Sequence, residues 1–241
     1  MRHFGLIGAK LGHSFSKGFF TELFAKQGIQ ADYSNFELTA IDEVQLLLDG
    51  RLSGFNVTIP YKEAILPYLD ELSEEAKQIG AVNTVKISNG KSIGYNTDAF
   101  GFHQSIKPFL TNQHERALIF GTGGASKAVA FVFKQIGLDV LYVSRGEKGG
   151  NVFGYEDVNE HMLRACKVIV NTTPVGMYPN VDDLLPLAYE ALTQDHLVID
   201  LIYNPEETAF LSRAKAAGAV TLNGASMLKE QALKAWSIWN E

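Results

Sequence analysis

The chain has 241 residues, enough for one large domain or two small ones, and its 46% hydrophobic and 20% charged residues supply a core and exclude a disordered chain. A formal net charge of -6 repels a phosphate backbone on average, so nucleic acid is not an expected partner, although a local basic pocket for a small anion stays open. No apolar run approaches the roughly 20 residues of a bilayer span, and Met1 to Gly8 lacks the long apolar region of a signal peptide, so a cytoplasmic protein without membrane contact is expected.

Phe4 to Gly8 reads as a first strand. Lys17 to Gln27 carries Phe19, Phe20, Leu23 and Phe24 at helical spacing, and Gly28 stops it. Asp32 to Glu37 alternates like a half-buried strand, and Ile41 to Leu48 reads as a helix. Gly54 to Ile59 is a strand that Pro60 ends. Glu71 to Ile79 reads as a polar helix, and Val82 to Ile87 with Ser92 to Tyr95 as a hairpin around Asn89-Gly90.

A second block follows. Strands are expected at Ala117 to Phe120, Val140 to Ser144, Val168 to Val170, Leu197 to Asp200 and Val220 to Leu222. Helices are expected at Ala125 to Ile136, near Thr208 to Ala217, and at Ser226 to Trp239. This strand–helix rhythm predicts a parallel, doubly wound sheet. The expected class is α/β in two domains. Residues 1–100, completed by the last helix at 225–241, form the first, and residues 101–224 form a Rossmann-like second. Cys166 cannot form an internal disulfide, which fits a reducing compartment, and it reads as a small buried apolar residue.

Between the strand at 117 and the helix at 125 stand Gly121, Thr122, Gly123, Gly124 and Ala125. Gly121 permits a tight turn, Gly123 lets a pyrophosphate approach the backbone, and the following helix offers free amides and the positive end of its dipole. The third glycine of the usual pattern is replaced by Ser126. Glycines also mark ordinary turns, but strand, turn and helix in this order are the context that dinucleotide binding requires. An NAD site usually ends its next strand with an acid. Here that strand ends Ser144-Arg145-Gly146, so Arg145, helped by Lys148, points to the extra phosphate of NADP, with Glu147 as the opposing charge.

In the first block, polar groups cluster at strand ends, where α/β proteins bind ligands. Ser14 and Ser16, after His13, suit a carboxylate, though a helix cap is the simpler reading of either alone. Asn56 and Thr58 share a strand face and Lys62 follows the break. Asn83-Thr84 and Asn96-Thr97-Asp98 complete the set, with Asn96 and Asp98 as candidate caps. None of the six histidines forms a close pair and there is no Cys-x-x-Cys, so metal-free chemistry is expected. Hydride transfer between an alcohol and a ketone also moves a proton, and a lysine beside an aspartate suits that step.

These motifs resemble the shikimate dehydrogenase family over nearly the whole chain. The resemblance rests on His13-Ser14-x-Ser16, Asn56-Val57-Thr58-Ile59-Pro60-x-Lys62, Gly80-Ala81-Val82-Asn83-Thr84, Asn96-Thr97-Asp98 and Gly121-x-Gly123-Gly124-Ala125-Ser126. It continues through Asn171-Thr172-Thr173-Pro174, Asp200-Leu201-Ile202-Tyr203-Asn204-Pro205 and Gly224-Ala225-x-Met227-Leu228-x-x-Gln231. It implies reversible NADPH-dependent reduction of 3-dehydroshikimate to shikimate in aromatic amino-acid synthesis, by a monomer or homodimer. Carried over by position, Lys62 is the acid/base and Asp98 its partner. Ser14 and Ser16 hold the carboxylate; Thr58, Asn83, Asp98, Tyr203 and Gln231 hold the ring hydroxyls. Glu74, Leu201 and Gly224 lie near the nicotinamide, and the last helix brings Gln231 to the substrate. Two positions depart from the pattern. Lys17 replaces a proline, and Ser144-Arg145-Gly146 replaces Asn-Arg-Thr, which loses a hydroxyl at the 2′-phosphate site. A relative acting on quinate, or with NAD, is the nearest alternative. A non-catalytic sensor has no need for both Lys62 and Asp98.

Overall fold

The structure, a computed structural model, describes residues 1–12, 14–146 and 148–241. The readings placed on His13 and Glu147 lie outside the described residues. The chain divides into two compact units, Met1–Phe100 with Gln231–Glu241, and Gly101–Glu230.

The first unit runs β1 (Arg2–Gly8), α1 (Phe15–Gln27), β2 (Ala31–Glu37), β3 (Gly54–Val57), α2 (Tyr61–Ala64), β4 (Glu71–Leu72), α3 (Glu74–Ile79), β5 (Thr84–Ser88) and β6 (Lys91–Tyr95). α4 (Thr97–Ile106) then crosses into the second unit. The six strands form one sheet in the order β2-β1-β3-β5-β6-β4. β1 pairs parallel with β2 and β3, whereas β5 runs antiparallel to β3 and β6. The expected hairpin is present, with left-handed φ at Asn89 and Gly90.

Three expected elements change. Ile41–Leu47 forms tighter 3-10 turns. β3 stops at Val57 because the chain then turns, the Tyr61 amide donating to the Thr58 carbonyl at 2.9 Å. The helix read over Glu71 to Ile79 covers only its second half. Asp70 accepts from the amide and hydroxyl of Ser92 at 2.8 and 2.7 Å, which holds Glu71–Leu72 against β6 as a strand. Ser73 then caps the helix, accepting from the Ala76 amide at 3.1 Å.

Two apolar clusters fill the faces of this sheet. One joins Ile7, Phe55 and Val57 to Val44, Tyr61, Ile65 and Ala76. The other joins Phe4, Phe20, Phe24 and Tyr33 to Ala232, Ala235 and Trp239 of α8 (Ala225–Asn240). Trp239 stacks on Phe4 at 4.7 Å and donates from Nε1 to the Val85 carbonyl at 2.9 Å. Its indole lies where a side chain on Gly54 would sit, so only glycine allows this approach.

The second unit runs β7 (Arg116–Phe120), α5 (Gly124–Gln135), β8 (Asp139–Val143), β9 (Val152–Phe153), α6 (Glu160–Ala165), β10 (Val168–Asn171), β11 (Leu197–Asp200), α7 (Ala209–Ala216) and β12 (Val220–Leu222). All pairings are parallel, in the order β12-β11-β10-β7-β8-β9. Read from the other edge this is the 3-2-1-4-5-6 arrangement of the Rossmann fold, and its direction reverses between β7 and β10, where such sheets bind ligands. Cys166 is fully buried and its thiol is pushed up to about 11 by burial, which suits its reading as a packed apolar residue. Asp200, fully buried at the end of β11, accepts from Asn171 Nδ2 (3.1 Å), the Ile202 amide (3.0 Å) and the Thr208 hydroxyl (2.7 Å).

Truncating Trp239 to alanine removes both its packing and its anchor, and is expected to cost about 3–5 kcal/mol in denaturant-unfolding titrations. Burial raises the Asp200 carboxyl from 3.8 to about 6. Its contribution to stability is therefore complete below the unfolded value and is lost as pH rises through about 6. Compared with Asp200→Asn, the native protein should lose up to about 3 kcal/mol between pH 4 and pH 7. Unfolding titrations of both across that range measure the difference, and parallel curves would contradict it.

Candidate active site

In the first unit the chemistry-bearing side chains meet at the edge of the sheet where β3 and β6 end and the antiparallel β5 begins. Lys62, on the short helix α2, places Nζ 2.6 Å from Asp98 Oδ2, and their side chains are only 17% and 8% exposed. Asp98 stands in the first turn of α4, where the helix dipole favours a carboxylate. The cap of that helix is Asn96, whose Oδ1 accepts from the Ala99 amide at 3.2 Å. Of the two candidate caps, Asn96 takes the role and Asp98 pairs with Lys62 instead.

Asn83 ties this pair to the sheet. Its Nδ2 donates to Asp98 Oδ1 at 2.8 Å, and its Oδ1 accepts from the Thr97 amide at 2.6 Å. A backbone N–H can only donate, so Thr97 fixes which way the Asn83 amide points. Gln231, from α8, is buried and turns Oε1 toward Asn83 Nδ2 and the Thr97 hydroxyl, both at 3.4 Å. Lys62, Asp98, Asn83 and Gln231 are thus brought together.

A buried chain of hydrogen bonds continues from Asn83. Asn56 Nδ2 donates to the Asn83 carbonyl (3.2 Å) and to Thr84 Oγ1 (3.0 Å). Asn56 Oδ1 accepts from the Tyr33 hydroxyl at 2.7 Å. Burial drives the Tyr33 phenol far above its ordinary range, and Ser16 is its other side-chain hydrogen-bond partner. Ser14 caps α1, accepting from the Lys17 amide at 3.2 Å, so the simple capping role is real. Its hydroxyl proton is not used in that bond, and the first turn of α1 carries no acid. Thr58 follows β3, its amide donating to Ile7 at 2.9 Å and its methyl facing Gly8. Glu74 opens α3 as an exposed residue, accepting from Gln78 at 3.1 Å with Lys77 at 3.9 Å.

In the second unit Gly121, Thr122, Gly123, Gly124 and Ala125 form the turn from β7 into α5. Gly121 has φ 107°, and a side chain there would strike the Thr172 hydroxyl after β10. Ser126 is fully buried and donates to the Gly121 carbonyl at 2.7 Å, so it fills the third glycine's place while bracing the turn. Gly123 caps α5 without a side chain over the helix end, and the first turn holds no acid. A pyrophosphate suits these exposed amides. Ser144 and exposed Arg145 follow β8, with Ser144 Oγ accepting from the Gly146 amide at 3.1 Å. Lys148 is ion-paired with Glu156 and lies 3.6 Å from Asp157, so these two acids compete for it with a phosphate. Both acids lie eight or nine positions further along the chain, beyond β9. Leu201 and Gly224 come together, the Leu201 carbonyl occupying the place of a Gly224 side chain, while Tyr203 is exposed. Among the described residues, no helix is long and apolar enough to cross a membrane.

Asn56 and Thr97 stand in the polar motifs of the sequence without a role of their own, and Tyr33 stands in none; Tyr33 is marked only as an aromatic residue at an inward-facing position of an alternating strand.

A family model described as the shikimate dehydrogenase substrate binding domain matches residues 6–85. The shikimate dehydrogenase (NADP(+)) of Clostridium beijerinckii is 38% identical, covering 100% of this chain and 93% of that protein. The crystal structure of shikimate dehydrogenase 1 from Peptoclostridium difficile superposes with a TM-score of 0.85 at 40% identity, covering 100% of this chain and 92% of that one. The shikimate 5-dehydrogenase of Thermus thermophilus, solved in complex with NADP(H) and shikimate, gives 0.87 at 32% identity, covering 99% and 93%. Two α/β units, a Rossmann-ordered sheet behind a glycine turn, and full-length similarity to these enzymes agree: the chain belongs to the shikimate dehydrogenase family.

Proposed function

We propose that this chain interconverts 3-dehydroshikimate and shikimate with NADP(H). The observation that carries the proposal is the pair of Lys62 and Asp98, 2.6 Å apart and largely out of water, within a family whose relatives bear that activity in their names. NADPH, when bound, supplies the hydride. Lys62 delivers a proton from Nζ to the carbonyl oxygen as negative charge develops there, and in the reverse direction Nζ takes it back. Asp98 holds the ammonium toward the reacting oxygen. Asn83 occupies the other carboxylate oxygen, which keeps Asp98 from rotating away.

In this reading Ser14 and Ser16 receive the substrate carboxylate, helped by the positive end of α1. Thr58, Asn83, Asp98, Tyr203 and Gln231 hold the ring hydroxyls. Gly121 to Ala125 cradle the pyrophosphate. Glu74, Leu201 and Gly224 border the nicotinamide. Ser144 and Arg145 take the 2′-phosphate, and because Lys148 is engaged by Glu156 and Asp157, that task falls mainly on Arg145. The relevant domains are residues 1–100 with the terminal helix for substrate, and 101–224 for cofactor. The setting is the cytoplasm. Lys62, Asp98, Asn83 and Gln231 all come from one chain, so a monomer or a homodimer suffices.

Following nicotinamide absorbance with shikimate or quinate, against NADP or NAD, tests the reading directly; no turnover of shikimate with NADP would remove it. Lys62→Ala should keep the fold and lower kcat by about two to four decades, and near-native turnover would remove the lysine's role. Arg145→Ala should raise KM for NADPH by about tenfold to a hundredfold, the worth of a charge-assisted hydrogen bond, while leaving KM for NADH nearly unchanged. Equal shifts for both would remove the 2′-phosphate contact.

A further inference from the structure

One face of β2 reaches the segment that carries the two serines. Side chains alternate along a strand, so Tyr33, Asn35 and Glu37 share a face. Phe36 points the other way, into the cluster around Ile7 and Val57, while Tyr33 belongs to the opposite cluster. Tyr33 is hydrogen-bonded to Ser16. Phe20, one helical turn after Ser16, stacks on the Tyr33 ring at 4.7 Å, which aligns that face of α1 with β2. The other two side chains both grip Leu11. Asn35 Nδ2 donates to the Leu11 carbonyl at 3.1 Å, and the Leu11 amide donates to Glu37 Oε1 at 2.6 Å.

Leu11 is therefore held at both of its backbone polar groups from a single strand face, three residues before Ser14. Its side chain is buried in the same cluster as Phe20 and Tyr33. The bond to Glu37 is short and charge-assisted, the stronger kind. Asn35 Oδ1 is buried without a hydrogen-bond partner. An unmet buried acceptor is destabilising, so the amide at this position is explained by its donor end, the one that holds Leu11.

We propose that Asn35 and Glu37 are positioning residues that hold Leu11, and with it the approach to α1, so that Ser14 meets the substrate carboxylate. The proposal rests on the reading of Ser14 and Ser16 given above. Neither residue touches the reacting atoms, so their loss acts on substrate binding and leaves the proton step alone.

The test uses the full-length enzyme with shikimate and NADP. Glu37→Ala and Asn35→Ala should each raise KM for shikimate about tenfold, with kcat and KM for NADP changed by less than about twofold, as a loss of binding alone requires. Glu37→Gln keeps an acceptor for the Leu11 amide and should restore most of the native KM. In a Ser14→Ala background, Glu37→Ala should add less than about twofold, because the group it positions is gone. An unchanged KM for shikimate, an equal rise in KM for NADP, or effects that multiply with Ser14→Ala would overturn the proposal. Should Glu37→Ala not fold, Asn35→Ala alone and in the Ser14→Ala background carries the same comparisons, with Glu37→Gln as the near-native control. A native enzyme inactive on shikimate removes the underlying reading and this proposal with it. An active one with multiplying effects removes the proposal alone.

Discussion

A lysine and an aspartate share a largely dry place at the end of the first sheet, and much of that unit's local order follows from keeping them there. Taking two charges out of water is costly unless every remaining lone pair and proton is met. Lys62 meets one oxygen of Asp98 and Asn83 meets the other. The Thr97 amide then holds Asn83 in the one orientation that offers Asp98 a donor. This requirement ties together α2, the start of α4 and the segment before β5, three elements that otherwise belong to different stretches of chain. It also holds the lysine and the carboxylate at a fixed separation of 2.6 Å.

The same logic runs outward through the polar interior. Asn83, Thr84, Asn56 and Tyr33 pass hydrogen bonds toward Ser16 between two apolar clusters. A partly satisfied network would weaken the core, so each member constrains the next. The second unit solves a related problem differently. Asp200 is buried among neutral donors from Asn171, Ile202 and Thr208, and burial dominates, raising its carboxyl to about 6. There the buried acid organises strand ends and the turn after β11, beside the topological switch.

Much of the architecture was legible from local signals. The hairpin at Asn89-Gly90, the arrest of α1 by Gly28 and the glycine turn at Gly121 depend on backbone chemistry within a few residues, so they could be read in sequence. The helix expected over Glu71 to Ile79 shows where that reasoning stops. Its first half looks helical by composition, but Ser92, about twenty residues on, holds Asp70 and draws the segment into a sheet. Lys148 is similar: charge and position suggest a phosphate ligand, yet Glu156 and Asp157 compete for it. β2 was legible as an alternating strand, but what its polar face holds was not.

Local chemistry along the chain sets the type and order of most elements, the turn that suits a pyrophosphate, and the set of polar residues from which a site could be built. These follow from hydrophobic period, capping and turn chemistry, which act over a few positions. Which of those residues act together is settled by long-range packing. Lys62 meets Asp98 across 36 positions, and Asn83 meets Gln231 across 148. Hydrogen bonds are short and directional, so such partnerships exist only once the sheet has brought distant segments within about 3 Å. The choice of Asn35 and Glu37 as the grip on Leu11 has the same origin. Parallel pairing of β1 and β2 sets a register that no local pattern in either strand reveals.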